Sequence, residues 1–199
     1  HLHPDHAGCL PQLIQTMQIL QRKRPFTVYL PEEGAALYRA FLNMMYLFPA
    51  VCPFELKLLG IPPEGEKVDL EGFNISFHPN RHLKMLAARA KESGLSNRGE
   101  SYSIAVESEG KRIVYSGDVK TCLELEPLLS IPTDLLIMEM AHFAPEQFLE
   151  LWRKAAPKHA VLTHFHPSLD VNPELLLHDT LAPVLGNITF AEDGMELEL

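Results

Sequence analysis

The chain has 199 residues, 46% hydrophobic and 22% charged, with a formal net charge of −9. That length supports one globular domain with a substantial core, so a single domain over 1–199 is expected. The acidic balance argues against a broad nucleic-acid footprint, and no apolar run approaches the roughly 20 residues that cross a bilayer. Cys9, Cys52 and Cys122 are few, odd in number and widely spaced, with no Cys-X-X-Cys pair. They read as free thiols of a reducing cytoplasm, and cysteine-held metal is not expected.

The first six residues, His-Leu-His-Pro-Asp-His, crowd four metal-capable side chains together: His1, His3, Asp5 and His6. Imidazole and carboxylate suit zinc, manganese or iron(II). In an extended segment His1 and His3 project to one face. Asp5 and His6 are adjacent, so the backbone must turn for both to point back. Such a cluster serves two neighbouring ions more easily than one.

Leu10, Leu13, Ile14, Met17 and Leu20 recur at helical spacing, with Pro11 suited to the first turn. The basic run Gln21-Arg-Lys-Arg reads as the solvated end of that helix. A strand is expected at Phe26–Leu30, then a helix from Pro31 to about Tyr46. Strands follow at Phe54–Leu59 and Phe73–Phe77. Tyr102–Glu107 and Arg112–Tyr115 flank the hairpin signal Ser108-Glu-Gly. Asp134–Met140 reads as a buried strand, Pro145–Ala156 as a helix and His159–Thr163 as a strand. Leu175–Leu185 reads as a helix interrupted at Pro183, and Ile188–Ala191 with Met195–Leu199 as a closing pair around Asp193-Gly194. This alternation, without repeats or low-complexity linkers, predicts a layered α/β domain.

Further ligand candidates lie far along the chain. His78 and His82 compete in Phe77-His-Pro-Asn-Arg-His. Asp118 stands in Tyr-Ser-Gly-Asp-Val, where Gly117 permits a sharp turn. His164 and His166 stand in Leu-Thr-His-Phe-His-Pro. His142 follows an apolar strand in Met-Glu-Met-Ala-His-Phe, and Glu139 lies three residues before it.

The opening motif resembles the His-X-His-X-Asp-His signature of the metallo-β-lactamase superfamily, and the later motifs follow in that family's order. The resemblance implies a four-layer αββα sandwich with metals at one edge. It also implies two or three strands before the first cluster, so an N-terminal portion is expected to precede this numbering. By resemblance His82 is preferred to His78, and His1, His3 and His82 would bind one ion. Asp5, His6 and His164 would bind the other, with Asp118 bridging. Two divalent ions, zinc first with manganese or iron as alternatives, would share a water and hold it as hydroxide. Asp5 could orient it.

His142, the helix and strand after it, and Ala191-Glu-Asp-Gly-Met resemble the ribonuclease Z-like branch. That implies a role for His142 in protonating the leaving oxygen, with Glu139 setting its tautomer. Two departures matter. The branch's transfer-RNA enzymes carry a long arm between the third histidine motif and the bridging aspartate, and His82 to Asp118 leaves no room for it. Transfer RNA is therefore not the expected partner. Leu83–Ser101 is instead longer than usual, half helix and half loop, and is expected to act as a lid. Arg89 or Arg98 would pair a substrate anion there, and His166 is a further candidate contact.

The expected activity is hydrolysis of a small anionic phosphodiester. A lactone, thioester, sulfate ester or β-lactam is the alternative on the same scaffold. Outside enzymes, the rival is a metal-binding sensor or assembly partner. Members of this branch are often dimers, so a homodimer is an expectation, and no membrane association is expected.

Overall fold

The computed structural model describes residues 1–155, 157–169 and 171–198. Two sheets pack together, each with helices on its outer face, which is the expected αββα order. The smaller sheet pairs β1 (Phe26–Pro31) with β2 (Leu56–Ile61) in parallel. The connection is α3 (Glu32–Met44), which packs back on both strands with α2 (Leu10–Ile19) beside it. Ile14, Leu30, Leu42, Phe54 and Leu58 form the core of this layer pair. Helix α2 ends where Leu20 caps it. Helix α3 ends at Met44 with Met45 as its cap, and the left-handed backbone of Tyr46 (φ 60°) lets Leu47 N–H close back on the Leu42 carbonyl at 2.9 Å.

The larger sheet has seven strands in sequence order: β3 (Glu66–Leu70), β4 (Phe73–Pro79), β5 (Tyr102–Ser108), β6 (Lys111–Tyr115), β7 (Leu135–Met140), β8 (His159–Phe165) and β9 (Ile188–Phe190). Strands β3 to β6 are antiparallel neighbours, and β6 to β9 are parallel. The parallel half needs crossovers, and α5 (Glu126–Leu129), α6 (Pro145–Lys154) and α7 (Pro173–Leu181) supply them. Strand β7 is interior to the sheet and buried along most of its length, which explains its apolar run Leu135–Met138, interrupted only by Glu139 before Met140. Phe148 and Leu151 of α6 bury against Leu136, Met138 and Leu162 of the sheet. Between the sheets lie Ile61, Phe77 and Tyr102. The Tyr102 hydroxyl donates towards the carbonyls of Ile61 and Pro62 and ties the layers together.

Several expectations shift in detail. The turn expected at Asp5 and His6 takes the form of a single helical turn, α1 (Pro4–Ala7), because Pro4 is preset for a first helical position. The Phe54 strand starts two residues later, with Phe54 buried in the preceding turn. Strand β3 is unforeseen: its Glu-Lys-Val-Asp-Leu sequence is that of a polar edge. The last expected strand does not form over 195–198. Met195 and Leu197 remain exposed, with no layer for an apolar face to cover. The helix end at Ala156 and the strand end at Leu199 lie outside the described residues. Segment 83–101 divides as expected, into α4 (Lys84–Glu92) and a loop. Among the described residues, no helix is long and apolar enough to cross a membrane.

Candidate metal centre

Four separate stretches of chain meet at one edge of the sandwich. The first is the opening segment, where the His3 carbonyl accepts the N–H groups of His6 (3.0 Å) and Ala7 (2.9 Å) and so curls Asp5 and His6 back. The second is the turn after β4. There the Asn80 carboxamide oxygen accepts the His82 N–H at 3.2 Å, and Glu124 accepts the Arg81 N–H at 2.9 Å. The third is the exit of β6. Gly117 has φ 55°, and a Cβ there would lie 2.7 Å from the Tyr102 carbonyl oxygen, so only glycine lets the chain pass and deliver Asp118. The fourth is His164. It is the extra residue where the β7–β8 register slips, opposite Glu139 and Met140, and it holds φ 49°. A β-branched or bulky residue in that conformation is strained, and such strain clusters at functional sites.

The side chains converge on one oxygen. Asp118 Oδ2 lies 3.1 Å from His6 Nε2, 3.6 Å from His164 Nε2 and 3.7 Å from both His1 Nε2 and His82 Nε2. Asp118 itself is only 2% exposed. The candidate ligand atoms form two main groups: His1, His3 and His82, and Asp5, His6, Asp118 and His164. Within each, all lie within 4.8 Å of one another. The buried Nε2 atoms of His1 and His82 have no hydrogen-bond partner among the described residues. Burial is the leading cause that pushes the His82 imidazole down to about 4, against the pull of Asp118. A neutral imidazole presents a lone pair. Lone pairs aimed at an anionic oxygen repel unless a cation stands between them, so this donor set fits divalent metal.

His142 flanks the cluster. Its Nδ1 lies 3.2 Å from Glu139 Oε1 and 4.0 Å from Asp118 Oδ2. Glu139 is 2% exposed, and its carboxylate accepts three backbone N–H groups, from Val119 (3.1 Å), Ala141 (2.7 Å) and His142 (3.1 Å). A carboxylate only accepts, so it fixes the Nδ1–H tautomer and leaves His142 Nε2 for chemistry. The Ser116 hydroxyl accepts the Glu139 N–H at 3.0 Å and holds the strand in place.

Other candidates lie elsewhere. His78 is bonded to the Ser76 hydroxyl at 2.9 Å, outside the cluster. His166 is exposed and bonded to Ser168. Arg89 is exposed on α4. Arg98 has a different partner from the one expected: its guanidinium pairs with Glu32 (2.9 Å) and Glu100 (2.6 Å), carboxylates of its own chain. Sequence reasoning passed over Asn80, Ser116 and Glu124. Glu124 was detectable, because Thr121-Cys-Leu-Glu is a capping box, and the structure forms it. Asn80 and Ser116 act through ordinary polar contacts that carry no pattern in sequence.

The family model described as the β-lactamase superfamily domain matches residues 1–165. A ribonuclease Z of Methanosarcina acetivorans is 29% identical over 250 positions, covering all of this chain and 79% of that protein. Since the chain has 199 residues, about fifty of those positions face no residue here. Among solved structures, human tRNase Z, short form, superposes with a TM-score of 0.71 at 19% identity, covering 100% of this chain and 76% of the other. The metallo-β-lactamase fold protein YhfI of Bacillus subtilis gives 0.69 at 17% identity, covering 98% and 73%. These two likenesses establish the fold. With the family model spanning most of the chain and its ribonuclease Z relatives aligned throughout, the chain belongs to the β-lactamase superfamily as a ribonuclease Z-like, metal-dependent hydrolase.

Proposed function

We propose that the protein is a two-metal phosphodiesterase of small substrates. The observation that carries this reading is the convergence of four imidazole nitrogens on Asp118 Oδ2, with His142 beside them on a buried carboxylate. His1, His3 and His82 would hold one ion and Asp5, His6 and His164 the other, with the Asp118 carboxylate shared between the two groups. When bound, two divalent ions, zinc by preference, supply water acidified towards neutrality and neutralise charge on the phosphoryl oxygens. Asp5 is the most exposed of the ligand carboxylates and orients the attacking water or takes its proton. His142 gives a proton from Nε2 to the departing alkoxide, and Glu139 stabilises the imidazolium before that transfer.

Small substrates are favoured over transfer RNA by the net charge of −9 and by the roughly fifty relative positions without a counterpart here. Metal analysis of the purified protein should give about two ions per chain. Bis(p-nitrophenyl) phosphate should be hydrolysed, and Asp118→Ala should lose both metal and activity. Hydrolysis of lactones alone, indifferent to His142→Ala, would overturn this assignment and return the centre to carbonyl chemistry.

A further inference from the structure

An apolar groove of about 540 Å³ opens beside the candidate metals, within the size range of small-molecule sites. One wall is α3, through Leu37, Tyr38 and Phe41. The other is α4 and the loop after it, through Leu86, Ala90 and Leu95. His3 lies in the groove wall, so groove and metal cluster share a side chain. Leu2, between two candidate ligands, presses on α3 at Gly34, where an added Cβ would meet its Cδ1 at 2.0 Å. The far wall is built rather than loose. The Glu33 carboxylate accepts the backbone N–H groups of Arg98, Gly99 and Glu100, and Arg98 bridges Glu32 and Glu100. Gly99 has φ 72° and fits so closely on α4 that a Cβ would come within 2.7 Å of Ala87.

The geometry points to a specificity subsite in this groove that takes an aryl ester group of the substrate. This rests on the phosphodiester reading of the adjoining centre. A phosphoryl group at the metals would direct one ester arm past His3 into the groove. Two aromatic rings, Tyr38 and Phe41, stand there to pack against an aryl group, and aromatic contact adds to simple burial. Arg98 does not reach for the phosphoryl charge, because its own carboxylates engage it. The segment 83–101 thus selects by apolar shape.

The test compares two phosphonates that differ only in the arm, naphthylmethylphosphonate and methylphosphonate, by calorimetric titration into zinc-loaded protein. The aryl probe should bind at least about tenfold tighter. Ala90→Trp fills the groove, and Leu37→Glu places a charge on its rim at a position 73% exposed, where folding tolerates it. In each variant, with its melting curve checked, the affinity ratio should fall towards one. Equal binding of both probes by the unaltered protein, or a ratio that survives both substitutions, would overturn the subsite. An aryl preference in a protein that hydrolyses no phosphodiester would uphold the subsite and reject the phosphodiester reading.

Discussion

Glu139 and Glu33 perform the same local task in opposite surroundings. Each carboxylate accepts three backbone N–H groups: those of Val119, Ala141 and His142 from two loops for Glu139, and those of Arg98, Gly99 and Glu100 from one loop for Glu33. Glu139 does so in the core of the large sheet, 2% exposed, and also grips His142. Glu33 does so at the first turn of α3, half-buried, over a loop that is largely exposed. Identical bonds are worth more where no water competes for them. The bracket beside the metals is shielded by burial, whereas the bracket over the groove stands open to water.

The sharpest way to break that contrast is Glu139→Ala. Three N–H groups would lose their acceptor, two of them beside the centre, and Val119 is fully buried. Stability should fall by about 3–5 kcal/mol, read by denaturant unfolding. Activity should fall as well, because His142 loses its tether. A loss below about 1 kcal/mol would mean that water already serves this bracket.

Next in size is His142→Ala, which should cost about 10²–10⁴-fold in kcat on a phosphodiester, with metal content retained. Glu139→Gln made in the His142→Ala background should then cost little more in rate, because both act through one proton. Additive losses would separate the two residues.

The two brackets also differ in how far sequence revealed them. The six-residue opening, the Gly-Asp turn and the histidine-bearing strand ends were all legible, because metal ligands are chemically rare and the family orders them. The structure brings His1, His3 and His82 into one group and Asp5, His6, Asp118 and His164 into another, and leaves His78 and His166 of the same motifs outside. Most core elements were legible from periodicity, with shifts of one or two residues at their ends. Illegible were the things that depend on a distant partner. The role of Glu33 needs a loop more than sixty residues away, and Arg98 found carboxylates where an anionic substrate was expected. The bulge that delivers His164 is a register event between two strands, invisible in either alone. Strand β3 is polar because it is an edge, so its composition hid it.

Glu33→Ala is the corresponding break on the surface side. Solvent can replace part of what it accepts, so about 1–2 kcal/mol is expected, localised to the groove wall. Hydrogen exchange should show residues 95–101 losing protection while β7 keeps its own. If β7 loosened equally, the two brackets would belong to one cooperative unit, and the proposed division of labour would fail.

Arg98→Ala should have the smallest effect, and its size decides what the arginine is for. Its guanidinium is about half exposed and pairs with Glu32, also about half exposed, and with Glu100, whose side chain is 4% exposed. An exposed pair contributes about 1 kcal/mol at most. The Glu100 Oε2 keeps the Glu33 N–H at 2.9 Å when Arg98 is removed, whereas the buried Oε1 loses its ion partner. Stability should drop modestly, and the share that comes from Glu32 should shrink at high salt, since screening weakens surface charge pairs. If Arg98 instead met the substrate's charge, the Michaelis constant for an anionic diester would rise steeply at unchanged stability. A modest rise that tracks loosening of the 95–101 loop is expected, because the arginine shapes the wall and the wall meets the substrate.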